Sequence, residues 1–385
     1  MVNTATANRR LLLVAPRYPP EGGGLERYVA SLANRLHRDF GWHIAIVTSG
    51  TRRGSMMCSV EGGITVYRLP YTLQWSNTRI ATAWLHQLRR IIRIERPDII
   101  NAHTPVPGMA DAAVLVAGRV PLVVTYHAGS MRKGRFLPDV AVWWYEHLVR
   151  PIVLRRPDRI IATSDFVNFG VLGKPRSAPV IITPGVDPER FTPADELARD
   201  SILFVGGLNH AERHKALEEL LGTFARLLER SPSLRLEVAG TGDRLAQFRE
   251  IAHELDINEA VTFLGRIEGQ DLASAYRRAT VLAVPSYNDN FPTVILEAMA
   301  SGVPVVASTI GAIPSLVDHG NTGLLIPVRD QTALLDSLHS ILSNRGMAVS
   351  MGRESRARLI GHSFTEERLA ASTTAVFQSL IEQMK

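Results

Sequence analysis

Short apolar runs recur along the chain, each bounded by turn-forming residues and followed by a stretch whose apolar positions repeat with helical spacing. In the first half the runs are Leu11–Pro16, His43–Ser49, Ile64–Leu69, Asp98–His103, Pro121–His127, Arg159–Thr163 and Val180–Thr183. Between them lie a helix with Leu25, Tyr28, Val29, Leu32 and Leu36 on one face, and helical patterns over Thr78–Glu95, Val106–Gly118 and Asp139–Arg155. In the second half, strands at 202–205, 234–239, 261–264, 281–285, 303–307 and 323–326 alternate with helices near 215–230, 243–255, 270–278, 291–301, 331–343 and 364–382. The stretch Pro184–Asp200 is rich in proline and charge, has no period, and reads as a linker. Alternation of this kind predicts an α/β protein of two doubly wound, Rossmann-like domains, residues 1–186 and 187–363, facing across a cleft. Ligands on such sheets bind at the carboxyl ends of the strands.

The stretch Ala283–Ser308, AVPSYNDNFPTVILEAMASGVPVVAS, concentrates the chemistry. It predicts a buried strand, a polar loop, a helix over Phe291–Ser301 stopped by Gly302, and a second buried strand. Asp289 or Asn290 can cap the helix, and Pro292 falls in its first turn. A loop facing a helix N-terminus is an anion site, which makes Asn290, Phe291 and Thr293 ligand-side candidates. Glu297 either marks a narrow solvated stripe or is functional, and Asp289 is either a plain cap or functional; the stretch alone leaves both open.

Other candidates sit at predicted strand ends. Gly22, Gly23 and Gly24 lack the dinucleotide spacing; they are either a plain loop or a place for close backbone approach to a ligand. His103 and His127 end adjacent strands, as structural residues or at the binding edge. The loop from Gly206 to Lys215 brings Arg213 and Lys215 to a helix start, as an ordinary basic loop or a phosphate holder. No His, Cys, Asp and Glu cluster has metal-ligand spacing, so no metal is expected.

Of the 385 residues, 45% are hydrophobic and 21% charged, the balance of an ordinary globular protein. The single cysteine, Cys58, excludes an intrachain disulfide and points to a reducing, cytoplasmic compartment. The run Leu11–Ala15 after Arg9-Arg10 is too short for a signal or a span. The net charge of +6 is unevenly placed: residues 1–190 hold 25 Lys and Arg against 13 Asp and Glu, residues 191–385 hold 18 against 24. A basic first domain is compatible with nucleic acid, an anionic membrane or an acidic substrate. No predicted sheet or reading helix carries the aromatic–basic interleaving of a nucleic-acid-binding surface. Residues 131–156 combine Arg132, Lys133, Arg135, Arg150, Arg155 and Arg156 with Phe136, Trp143, Trp144 and Tyr145. That mixture suits docking on an anionic membrane, unless the tryptophans are core.

The run DNFPTVILEAMASGVPVVAS resembles the paired-acid motif of the retaining GT-B glycosyltransferases of family 4, with Asp289 for the usual Glu and Pro292 where Gly is common. The likeness extends through GGGLERY, VVTYHAG, VIITPGVDPERF, FVGGLN…K and VTFLGR, and so covers nearly the whole chain. It implies a UDP- or GDP-sugar donor, a glycan or lipid-linked acceptor, no metal or other cofactor, and a C-terminal helix (364–385) packing back on the first domain. By the same resemblance Gly23 and Gly24 face the donor diphosphate and His127 lies near the transferred sugar; His103, at the adjacent strand end, is the acceptor-side candidate. Lys215 clamps the diphosphate; Gly207 takes the usual arginine's position, with Arg213 as replacement. Arg266 and Ile267 meet the base, Glu297 the ribose, and Asp289 the sugar hydroxyls. Another sugar-nucleotide enzyme of this fold, such as an epimerase, or a catalytically silent binder are the competing readings.

Overall fold

Strands buried on both faces read as unbroken apolar runs, and here Leu11 to Val14 and Val305 to Ala307 are all buried. The computed structural model describes residues 9–20, 23–75, 78–127, 136–167, 177–194 and 200–384. The chain divides into two units, residues 1–184 with 366–385, and residues 185–365.

The first unit carries an eight-stranded sheet in the order Val180–Ile181, Arg159–Ala162, Leu122–Tyr126, Ile99–Thr104, Arg10–Val14, His43–Arg52, Ile64–Tyr71, Met57–Glu61. All neighbours are parallel except the last strand, which is antiparallel to Ile64–Tyr71. Alternate residues feed opposite layers: Leu12 and Val14 join Trp84, Leu88 and Met109, while Leu11 and Leu13 join Tyr28, Leu32 and Phe377. The C-terminal helix Glu366–Gln383 packs beside the helix Gly24–Phe40, and Phe377 meets Trp42 edge-on at 5.8 Å.

The second unit is an all-parallel six-stranded sheet, in the order Val261–Gly265, Arg235–Ala239, Ser201–Val205, Val281–Val284, Val305–Ser308, Gly323–Ile326. In each unit the chain builds outward from one strand in one direction and then in the other. Arg10–Val14 lies between His43–Arg52 and Ile99–Thr104; Ser201–Val205 lies between Arg235–Ala239 and Val281–Val284. Loops leaving the carboxyl ends on either side of such a reversal leave a crevice where ligands sit.

Several elements differ from the sequence expectation. Thr78 opens no helix: Leu73–Trp75 and Thr78–Ile80 form a hairpin, and the helix starts at Trp84, whose indole N–H donates to the Pro70 carbonyl at 2.7 Å. Met57–Glu61 is an edge strand, largely exposed, and so has no apolar run to announce it. The helix near 139–155 contains a π-helical turn at Tyr145–Val149 between Phe136–Trp144 and Arg150–Leu154. An unexpected helix, Arg345–Gly361, turns Ala348, Gly352 and Ser355 inward beside Met351 and Leu359, a stripe too small and polar to stand out.

Candidate active site

In the second unit, two loops leave the strands that flank the reversal point. One follows Ser201–Val205 and winds into a 3-10 turn, His210–Lys215; the other follows Val281–Val284 and enters the helix Thr293–Ala300. They are joined twice. The Tyr287 N–H donates to the His214 carbonyl at 2.6 Å, and Lys215 Nζ donates to Asp289 Oδ2 at 2.8 Å. The Lys215 and Asp289 side chains are only 20% and 14% exposed, so the pair is largely shielded from water. A third loop closes on them: the Ala312 N–H donates to the Asn290 carbonyl, and Gly311, at φ +53°, passes so near that a Cβ would stand 2.0 Å from the Asp289 carbonyl oxygen.

The expected helix cap is therefore corrected. No side chain caps Thr293–Ala300; Pro292 occupies the N-cap position at φ −72°, one residue before the first turn, and the Asp289 carboxylate is engaged by Lys215. Phe291 packs against the core, and Thr293 is the first helical residue, partly exposed. Gly302 ends the helix at φ +64°, as its position predicts. At that end the Arg356 guanidinium donates to the carbonyl of Ala300, and to those of Phe191 (3.1 Å) and Pro188 (3.3 Å) outside the helix, placing a cation at the helix C-terminus.

No solvated stripe runs along this helix, because Val294 to Ala300 are all buried. Glu297 is 8% exposed, and Tyr276 Oη donates to its Oε2 at 2.7 Å. A buried carboxylate is costly without such a partner, so its presence here calls for one. Tyr276 was not singled out in the sequence, because it lies on another helix, Gly269–Arg278, inside an ordinary amphipathic pattern.

The basic candidates are arranged less simply. A Cβ on Gly207 would meet the Glu212 carboxylate at 1.8 Å, and Asn209 Nδ2 holds that carboxylate at 3.0 Å. An acid thus covers the position where the resemblance puts an arginine. Arg213 is exposed in the same turn. Arg266 is paired with Glu268 at 2.8 Å on the surface, and Ile267 packs against the core after the Val261–Gly265 strand.

In the first unit, the strand ends bring the two histidines together. His103 Nδ1 and His127 Nε2 are 2.9 Å apart, the rings stack at 5.2 Å, and the Tyr28 ring stands edge-on to both. Burial pushes the His127 imidazole down to about 3. Burial, and then the neighbouring His127, hold His103 well below the ordinary histidine value. Both rings are neutral at pH 7, and one N–H bridges them. Gly23 and Gly24 start the adjoining helix, where the Gly23 N–H donates to the Glu26 carboxylate at 2.7 Å, while a Cβ on Gly24 would meet nothing within 4 Å. Gly22 lies outside the described residues.

The tryptophans are not core: Trp143 and Trp144 are 40% and 54% exposed, beside exposed Leu148, Val149 and Ile152. Tyr145 instead turns inward and donates to Asp111 Oδ1 at 2.9 Å. Arg132, Lys133 and Arg135 lie outside the described residues, as does the side chain of Phe136. Among the described residues, no helix is long and apolar enough to cross a membrane, and no three His, Cys, Asp or Glu side chains gather as a metal site.

Two family profiles tile the chain: Glycosyltransferase Family 4 over residues 22–190 and Glycosyl transferases group 1 over residues 189–358. The D-inositol 3-phosphate glycosyltransferase of Kribbella flavida is 30% identical, the match covering 94% of this chain and 92% of that protein. Sucrose-phosphate synthase from Thermosynechococcus elongatus shares the fold, with a TM-score of 0.79 at 22% identity over 98% of this chain and all of that one. The Anabaena protein HepE, solved with UDP-glucose, superposes with a TM-score of 0.75 at 17% identity, over 96% of this chain and 99% of that one.

Proposed function

The chain belongs to glycosyltransferase family 4, has the GT-B fold and is a glycosyltransferase, and from that premise we propose a retaining, metal-independent transfer of a sugar from a UDP- or GDP-sugar to a glycan or lipid-linked hydroxyl. The observation that carries this reading is the shielded Lys215–Asp289 pair beside the reversal point of the second sheet. One member is a cation for a leaving diphosphate and the other a carboxylate for sugar hydroxyls, and they are in contact. Glu297 takes the ribose, Arg266 and Ile267 the base, and the loop at Asn290, Phe291 and Thr293 lines the phosphate side. Gly207, with Arg213 close by in sequence, borders the diphosphate. In the first unit, Gly23 and Gly24 face the donor and His127 the transferred sugar, with the fully buried His103 behind His127 on the acceptor side.

In the reaction, the bond from the anomeric carbon to the diphosphate breaks with both electrons leaving on the phosphate oxygen. The acceptor oxygen bonds to that carbon on the same face, and its proton passes to the departing phosphate. Lys215 and the N-terminal dipole of Thr293–Ala300 stabilise the developing negative charge, which is the main demand of this chemistry. No protein nucleophile is required. A lipid-linked acceptor fits the exposed Trp143, Trp144 and Ile152, with Arg155 and Arg156 beside them, on which the protein docks peripherally at the cytoplasmic face of a membrane.

A thermal-shift panel of nucleoside diphosphates and nucleotide sugars tests the reading, because a bound donor stabilises by mass action. One nucleotide series raises Tm, and its sugar form is slowly hydrolysed without acceptor. No shift with any nucleotide overturns the proposal; a shift with no hydrolysis or transfer marks a silent binder.

A further inference from the structure

Glu297 cannot hold a ligand unless something holds Glu297. We infer that Tyr276 is a positioning residue for nucleotide recognition: its phenol holds Glu297 Oε2 and so sets the orientation of the carboxylate that meets the ribose. The inference rests on the ribose assignment of Glu297 and adds a residue to it.

Tyr276 is fully buried, among Leu272, Leu282 and Val294, with the Phe191 ring edge-on at 5.7 Å. Its Oη is 2.7 Å from Glu297 Oε2 and 3.2 Å from the Val294 carbonyl. A phenol has one proton to donate, and the shorter contact goes to the carboxylate, the stronger acceptor. If satisfying a buried hydroxyl were the only purpose, the Val294 carbonyl would suffice. The bond to Glu297 instead crosses 21 residues of sequence and joins two helices. A glutamate has three side-chain torsions, and fixing one oxygen removes most of that freedom before the ligand arrives. Preorganisation of this kind improves affinity by lowering the entropy lost on binding.

The test compares wild type, Tyr276→Phe, Glu297→Gln and the double variant, by calorimetric binding of UDP and GDP and their 2′- and 3′-deoxy forms. Wild type prefers the ribo form of its nucleotide by about ten- to a hundredfold, the range for a hydrogen bond to a charged group. Tyr276→Phe keeps the ring and its packing. It cuts that preference by about fivefold or more, leaves the affinity for the deoxy form unchanged, and has no further effect on the preference in the Glu297→Gln background. Equal weakening of both forms, with the preference intact, makes Tyr276 a packing residue and overturns the inference while sparing the ribose assignment. A wild type that does not distinguish ribo from deoxy forms overturns the ribose assignment and the inference with it. Circular dichroism and Tm identify any variant that has not folded; in that event Tyr276→Trp and Tyr276→Leu are compared for the same ratio, and an unchanged ratio in a folded variant counts against the inference.

Discussion

Replacing Asp289 by asparagine has opposite consequences for the two halves of the donor. Asparagine keeps the shape and removes the charge that Lys215 engages at 2.8 Å. With both side chains at least four-fifths covered, the pair is worth about 1.5–3 kcal/mol, the range for hydrogen bonds to charged groups. A diphosphate must compete with Asp289 for Lys215, so removing the competitor holds or improves nucleoside diphosphate affinity, by up to about tenfold if 1.4 kcal/mol of that cost is recovered. The nucleotide sugar loses the carboxylate that receives its hydroxyls, a loss of roughly ten- to a hundredfold on the same scale. Both ligands carry the diphosphate and share that gain, so the ratio of the two dissociation constants moves by the sugar contact alone, about one to two orders of magnitude. The fold survives, because the Tyr287 N–H still ties the two loops to each other through the His214 carbonyl. Calorimetry with the nucleoside diphosphate and its sugar form, at one fixed ionic strength, reads the ratio directly. Parallel loss of both ligands refutes the division of roles; parallel gain shows that Asp289 only restrains Lys215.

Three further outcomes are expected. Transfer persists in excess chelator; activity abolished by chelator and restored by Mg²⁺ or Mn²⁺ rules out the metal-independent mechanism. Because His103 and His127 are held neutral in the fold while the unfolded chain takes up two protons near pH 6.5, stability falls as pH drops from about 6.5 toward 3, by up to about 2.7 kcal/mol per pH unit. Urea midpoints between pH 7 and 5 check this, and His103→Gln reduces the pH slope; an unchanged slope shows that other groups govern it. The protein pellets with anionic vesicles at low salt, less as salt rises, and Trp143→Ala/Trp144→Ala loses roughly half or more of the bound fraction. Protein that stays in the supernatant at low ionic strength points to a soluble acceptor.

The order of strands and helices was legible because parallel strands buried on both faces leave unbroken apolar runs, and amphipathic helices leave a period. Where burial is partial or the buried residues are small, that signal fades, which is why the edge strand Met57–Glu61 and the helix Arg345–Gly361 went unseen. Glu297, Asp289 and Lys215 stood out by type and position, but which side chains meet did not, and Tyr276 and Arg356 did not stand out at all. Lys215 is 74 residues from Asp289, Tyr276 is 21 from Glu297, and Arg356 is 56 from Ala300. Spacing along a chain reports which face of one element a residue occupies. Which side chain on another element meets it depends on how the two elements pack. The sequence alone could propose Asp289 as a cap and leave the tryptophans undecided between core and surface. Packing turned Asp289 toward Lys215, set the Glu212 carboxylate over Gly207 and left Trp143 and Trp144 exposed.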